Sequence, residues 1–134
     1  MMLIQNKVWK WGSNWGGKQN ASHYGFMSDE EIVVGIDRFK YSAGDLVIIT
    51  DGFTVKAIAM IEEEPTAITE IPQYSFVEDK YKIAYKDWVN YAKAEWYELP
   101  KDKVFEYKVQ RGAAKVHKPD IKETVLKLWN NRNK

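Results

Sequence analysis

Short apolar runs separated by turn residues recur along the chain, and this pattern predicts a fold made mainly of strands. The run 46–50 is apolar up to its final threonine, which is typical of a buried strand. The dipeptide Asp51-Gly52 follows it directly and predicts a tight hairpin turn. Residues 53–61 form the predicted partner strand, and one face of it carries Val55, Ala57, Ala59 and Ile61.

Four further runs predict strands, at residues 8–11, 32–34, 89–99 and 104–109. The first breaks at Gly12, and the second follows a turn at residues 28–31 that has the spacing of a helix-capping box. The spacing of the third run also permits a helix, but its aromatic content and the stop at Pro100 favour a strand. The fourth ends at Arg111-Gly112.

The C-terminal segment has a different periodicity. After Pro119, apolar residues recur at i, i+4, i+7 and i+8, which predicts an amphipathic helix that packs by one face. These residues are Ile121, Val125, Leu128 and Trp129. Residues 66–87 combine Pro72 with mixed charge and receive no firm assignment. The elements together predict one α+β, mainly β domain over residues 1–134, a small mixed barrel or curved sheet with short helices and a C-terminal helix.

Length and composition limit the class of protein. A chain of 134 residues that is 45% apolar fits one compact domain with a real core. No apolar run approaches the roughly 20 residues that a bilayer-spanning helix needs, and the N-terminus lacks the pattern of a secretion signal. We therefore expect a soluble, cytoplasmic protein without a membrane partner. Because the chain has no cysteine, a disulfide framework and a thiolate zinc site are excluded.

The net charge of +1 conceals an uneven distribution along the chain. Residues 1–27 carry a charge of +3, residues 28–102 carry −8 and residues 103–134 carry +6. If the fold brings the two basic ends together, they form a positive face suited to phosphates, while the acidic middle repels nucleic acid elsewhere. The alternative is an ordinary solvated surface of mixed charge.

The segment 7–17 contains three tryptophans, two lysines and three glycines. Indole rings beside conformationally permissive glycines indicate either a core plug or a stacking platform for a flat ligand. Trp9 and Trp96 fall within strand-like runs and are interpreted as core residues. Trp15, which two glycines follow, is the better candidate for a ligand face.

Catalytic and cofactor signatures are absent from the sequence. It contains no phosphate-binding glycine loop, no dinucleotide fingerprint and no nucleophile elbow, and its two histidines, His23 and His117, lie far apart. Asp45 and Asp51 flank one strand, but each lies beside a glycine in a turn, where aspartate ordinarily makes local hydrogen bonds. We therefore predict a non-catalytic protein without a cofactor or a metal site.

The Gly-Asp turn and the hairpin after it, residues 41–49 and 54–61, resemble the core of PUA-like domains, in particular the EVE and YTH branches. A later strand with a central tryptophan, Trp96, and a strand ending in the basic loop at Arg111-Gly112 follow in the same order. The chain is also similar to the N-terminal recognition modules of modification-dependent restriction systems. The resemblance implies the PUA-like form of the barrel or curved sheet.

This resemblance implies a nucleic-acid-binding module in which one base, often methylated, lies in an aromatic pocket while basic groups grip neighbouring phosphates. Aromatic faces replace the stacking of an extracted base at about 1–3 kcal/mol each, and a methyl group adds apolar area to bury. The implied base-pocket residues are Trp11, Ser13, Asn14, Trp15, Tyr74, Phe76 and Trp88. The predicted phosphate-binding residues come from the two basic ends of the chain and are Lys10, Lys18, Arg111, Lys115, His117 and Lys118.

Either DNA or RNA satisfies these expectations, and the chain could act alone or beside a partner NTPase or nuclease. Two other classes of function stay open. One is a small-molecule or nucleotide-binding sensor or adaptor of the same fold that does not bind nucleic acid. The other is a hydrolase acting on a modified nucleotide, for which the sequence offers no convincing pair of nucleophile and base.

Overall fold

The computed structural model describes residues 7–12, 24–36, 41–72, 89–107 and 113–132. The strands in these ranges are β1 (Val8–Gly12), β2 (Ile32–Ile36), β3 (Leu46–Asp51), β4 (Thr54–Ile61), β5 (Thr66–Ala67), β6 (Val89–Glu98), β7 (Phe105–Glu106) and β8 (Ala113–Lys115). The helices are α1 (Tyr24–Glu30) and α2 (Pro119–Asn130), with a 3₁₀ turn at Ile68–Glu70. A mainly β, α+β fold with a C-terminal helix is thereby confirmed.

The strands form one curled sheet, a half-barrel, in the order β2-β6-β4-β3-β1-β8, with β5 paired to β6 and β7 paired to β4. β1 runs parallel to β3, and the other pairs are antiparallel. β6 joins the two sides of the curl, because its residues up to Lys93 pair with β2 and those from Ala94 pair with β4. The strand favoured at 89–99 is confirmed as β6.

Two hydrophobic cores lie on the two faces of the central strands. The first core joins side chains of β1, β3 and β4 with those of α1, β2 and β6. The second core joins the opposite face of β1, β3 and β4 with α2. Because alternate side chains of a strand point to opposite faces, Val47 and Ile49 enter the first core while Leu46 and Ile48 enter the second. The continuous apolar run of β3 therefore reflects burial on both faces.

The β3–β4 hairpin is confirmed. Its tip is Gly52-Phe53, between the paired residues Asp51 and Thr54. Gly52 has a φ of 65°, in the left-handed region that glycine adopts without steric cost. β4 ends at Ile61, directly before the acidic run that was predicted to end it.

A β-bulge in β4 overturns one detail of the predicted hairpin. Ile49 pairs with Ala57 whereas Thr50 pairs with Val55, which makes Lys56 the extra residue of the bulge. The bulge shifts the alternation of side chains by one position. Val55 therefore packs in the second core, while the other three residues predicted to share its face pack in the first.

The predicted C-terminal helix is confirmed as α2, and it packs on the sheet through the predicted stripe. The buried and half-buried residues of that stripe are Ile121, Val125, Leu128 and Trp129. Arg132 links the end of α2 to β6. Its Cζ lies 3.8 Å from the ring centroid of Trp129 in α2, and its Nη2 donates to Oε2 of Glu95 in β6 at 3.0 Å. Neither described helix combines the length and the apolar character that crossing a membrane requires.

Three segments differ from the predictions. The turn expected at 28–31 is the end of the helix α1, after which Glu31 has a φ of 55°. The strand expected at 104–109 is represented by the shorter β7, and residues 108–112 lie outside the described ranges. β8 was not predicted, because two alanines and a lysine carry no clear strand pattern.

Candidate functional site

The two basic ends of the chain meet where β1 pairs with β8. In this antiparallel pair Trp9 lies opposite Lys115. The pairing continues beyond the strands, because the Val116 amide donates to the Val8 carbonyl oxygen at 2.8 Å. Since β8 is the last strand in the sheet order, the N- and C-terminal segments are neighbours at one edge of the sheet.

Exposed basic side chains follow this edge. Lys115, His117 and Lys118 are all exposed, and Lys118 directly precedes α2. Asp120, in the first turn of α2, is exposed beside them. Three of the predicted phosphate-binding residues are therefore together on the surface, along β8 and the link to α2.

Lys10 is buried, whereas a phosphate contact requires a side chain at the surface. Only 3% of Lys10 is exposed. Alternation along β1 puts it on the face of Val8, which belongs to the second core, and away from Trp9 and Trp11. Burial lowers the pKa of the Lys10 ammonium below its ordinary value, because removal from water disfavours the charged form. In this structure Lys10 is therefore a buried residue, and its contact with a phosphate stays a prediction.

Trp9, Trp11 and Tyr41 form an aromatic cluster in the first core. The ring centroids of Trp9 and Trp11 lie 5.4 Å apart, and Trp11 and Tyr41 are nearly perpendicular with centroids 5.3 Å apart. Only 1% of Trp11 is exposed, so in this structure it is a core residue and not the open wall of a pocket. The core interpretation of Trp9 is confirmed, and Trp96 packs against the same core with its Nε1 donating to the Ile32 carbonyl oxygen at 2.9 Å.

A buried polar pair adjoins this cluster. The Tyr41 hydroxyl donates to Asn90 Oδ1, and both residues are buried. Neither residue is among the functional candidates that the sequence predicts. The one signal was Asn90 itself, since asparagine is depleted in strands and a buried one needs a hydrogen-bond partner.

The prediction that the turn aspartates make local hydrogen bonds is confirmed for Asp45. Asp45 is buried, and its carboxylate accepts a hydrogen bond from the Ser42 amide at 3.0 Å, within the turn that precedes β3. Asp51 ends β3 at the hairpin tip, where its Oδ2 lies 3.8 Å from Lys56 Nζ. Neither arrangement is that of a catalytic carboxylate pair.

β1 and β8 also share one end of the sheet. Trp11 lies opposite Ala113, so the chain leaves β1 after Gly12 at the end where β8 begins. Five of the other predicted site residues lie within six positions after Gly12 or two positions before Ala113: Ser13, Asn14, Trp15, Lys18 and Arg111. The predicted site residues that lie outside the described ranges, and stay predictions, are Ser13, Asn14, Trp15, Lys18, Tyr74, Phe76, Trp88 and Arg111.

Acidic side chains gather at the opposite end of the central strands. Residues 62–64 are exposed glutamates that follow the end of β4, which pairs with the start of β3. Gly12, in contrast, pairs with Thr50 near the end of β3. Burial raises the pKa of the Tyr91 phenol, and the charges of Glu63 and Glu70 raise it further. The negative charges of these glutamates are therefore close enough to Tyr91 to disfavour its phenolate form.

Comparison with known proteins adds no assignment. Neither a family model, nor a curated protein, nor a solved structure matches the chain.

Proposed function

We propose that this chain is a non-catalytic nucleic-acid-binding module with a PUA-like fold of the EVE or YTH type. It holds one base, modified or unmodified, in an aromatic pocket while cationic side chains contact the neighbouring phosphates. The observation that carries the proposal is the pairing of β1 with β8, because it makes neighbours of the two basic ends of the chain.

The phosphate contacts are proposed along β8 and the link to α2. Lys115, His117 and Lys118 are exposed there within four consecutive residues. Contacts of this kind position a nucleic acid without reading its sequence, and they supply most of the salt-dependent affinity. Glutamates 62–64, at the other end of the central strands, repel phosphates and so restrict binding to the basic edge.

The base pocket is proposed beyond the end of β1. Trp9 and Trp11 are buried in the first core and so anchor β1 up to its last residue, Gly12. Trp15 is the next tryptophan in sequence, and stacking of a base on one aromatic face is worth about 1–3 kcal/mol. Asn14 supplies an amide that can donate to and accept from a base edge.

The proposal is tested by binding of fluorescent single-stranded DNA and RNA, methylated and unmodified, followed by anisotropy at several salt concentrations. The double variant Lys115→Ala/Lys118→Ala should weaken binding and reduce the slope of log affinity against log salt by about 0.7–0.9 for each lysine that pairs with a phosphate. The matched control is Lys93→Ala/Lys101→Ala, which removes the same charge from exposed positions away from β8.

Two outcomes would contradict the proposal. If both double variants change the slope equally, the lysines act only through net charge and do not form a defined interface. If a mononucleotide binds as tightly as the oligonucleotide that contains it, the chain is a nucleotide sensor and the phosphate contacts play no part. Trp15→Ala in the same assay reports on the base pocket, and its loss of affinity should be greatest for the preferred base.

A further inference from the structure

Phe53 is an exposed aromatic side chain at the tip of the β3–β4 hairpin. It is 40% exposed, and among the described residues Val104 is the other exposed large apolar side chain. Phe53 contributes to neither hydrophobic core, whereas most other described aromatic residues do. Its ring is therefore accessible to a ligand.

The hairpin tip lies at the end of the sheet where β1 stops and β8 begins. Because β1 runs parallel to β3, Gly12 is level with Thr50, two residues before the tip. With about 3.3 Å per residue along a strand and about 4.8 Å between strands, Phe53 lies roughly 10 Å from Gly12. The same spacings put the tip roughly 20 Å from Lys115.

Hydrogen bonds hold the tip in place. The Tyr107 amide donates to the Phe53 carbonyl oxygen at 2.8 Å, and Thr54 Oγ1 donates to Glu106 Oε2 at 2.7 Å. Around Gly52 the space is open, since an added Cβ would meet nothing within 4 Å. Because the hydrogen bonds fix the Phe53 backbone before a ligand binds, binding costs little conformational entropy in the hairpin.

The charges at the tip favour a base over a phosphate. Asp51 and Glu106 are carboxylates on either side of Phe53, and Asp51 is balanced by Lys56 at 3.8 Å. Phosphate oxygens are repelled by carboxylates, but the uncharged face of a base is not. Every base has such a face, and stacking on an aromatic ring tolerates any sequence.

We propose that Phe53 is a second stacking site, which holds a base of the same strand whose phosphates lie along β8. This inference rests on the proposed function. The roughly 20 Å between Lys115 and the tip corresponds to about six nucleotides at the 3.4 Å rise of stacked bases, and to fewer in an extended strand. A strand must therefore be several nucleotides long to reach both Lys115 and Phe53.

The test compares the affinities of a two-nucleotide and a twelve-nucleotide single strand for the full chain and four variants, one of which is Lys115→Ala/Lys118→Ala. Phe53→Ala should weaken the twelve-nucleotide complex about fivefold or more and the two-nucleotide complex less than twofold. Phe53→Trp should retain the affinity for the longer strand, because it keeps an aromatic face. Val104→Ala is the matched control, since it removes the other large apolar side chain that is exposed in the described ranges and should change neither affinity.

The outcomes separate the two proposals. If the chain binds both strands and loses affinity on Lys115→Ala/Lys118→Ala but not on Phe53→Ala, the second stacking site is refuted and the proposed function stands. An equal loss at both lengths on Phe53→Ala also refutes the second site, because the effect would not depend on reaching the tip. If the unaltered chain binds neither strand, both proposals fail.

Discussion

The indole Nε1 of Trp9 donates a buried hydrogen bond to Asp45 Oδ2 across 3.0 Å. This bond joins β1 to the residue directly before β3, and these two strands run parallel in the sheet. The same carboxylate accepts from the backbone amides of Lys7 at 3.2 Å and Ser42 at 3.0 Å. One aspartate therefore holds both the turn before β3 and the start of β1.

Substitution Asp45→Ala should lower the free energy of unfolding by about 3 kcal/mol, because it removes a buried acceptor that three N–H groups share. Asp45→Asn keeps one carbonyl oxygen and should cost less. Urea denaturation followed by tryptophan fluorescence measures both changes. The matched control is Asp51→Ala, whose exposed pairing with Lys56 is worth less than about 1 kcal/mol. Equal losses for Asp45→Ala and Asp51→Ala would disprove the special role of Asp45.

Lys10 should make the stability of the fold depend on pH in the alkaline range. Burial lowers the folded-state pKa of Lys10 below 10.5, so in the window below 10.5 the unfolded chain binds more protons than the folded chain. The contribution of Lys10 to the free energy of unfolding therefore increases as pH rises through this window. The same contribution is lost as pH falls through the folded-state pKa. Urea denaturation at a series of pH values, compared between the unaltered chain and Lys10→Met, isolates that component.

The comparison with Lys10→Met also cancels the contributions to stability of other groups that titrate at alkaline pH. Burial raises the pKa values of Tyr91 and Tyr107, which lowers stability as pH rises past their ordinary value of 10.0. Both tyrosines are present in both proteins, so their contributions cancel in the difference. A difference that does not change with pH would show that Lys10 titrates alike in the folded and unfolded chains.

Gly52→Ala should destabilise the hairpin by about 1 kcal/mol. The φ of 65° at Gly52 is in the left-handed region, which costs a residue with a Cβ about 1–2 kcal/mol. No steric clash adds to this cost, since nothing lies within 4 Å of the added Cβ. Gly52→Asn should cost less, because asparagine tolerates this conformation in hairpin turns. Thermal unfolding of both variants checks the ranking, and an asparagine penalty as large as that of alanine would contradict the backbone explanation.

The candidate site was only partly predictable from the residues. The clustering of Lys115, His117 and Lys118 follows from their spacing, because they lie within four consecutive residues. The burial of Lys10 was not predictable, since a lysine between two tryptophans suits an exposed aromatic platform as well as a strand covered on both faces. Phe53 did not stand out in the sequence as a candidate either, because its nearness to Gly12 depends on a parallel strand pair.

The sequence by itself determined the local elements whose signals are strong. Asp51-Gly52 between two apolar runs was enough for the hairpin, and the stripe from Ile121 to Trp129 was enough for the C-terminal helix, because turn chemistry and side-chain period act between near neighbours. Strand pairing between distant segments was decided only by the tertiary structure, as in β1 with β8, which no local period encodes. The side of the sheet that Val55 faces was decided in the same way, since a single extra residue at Lys56 reverses the alternation and only the register with β3 reveals it.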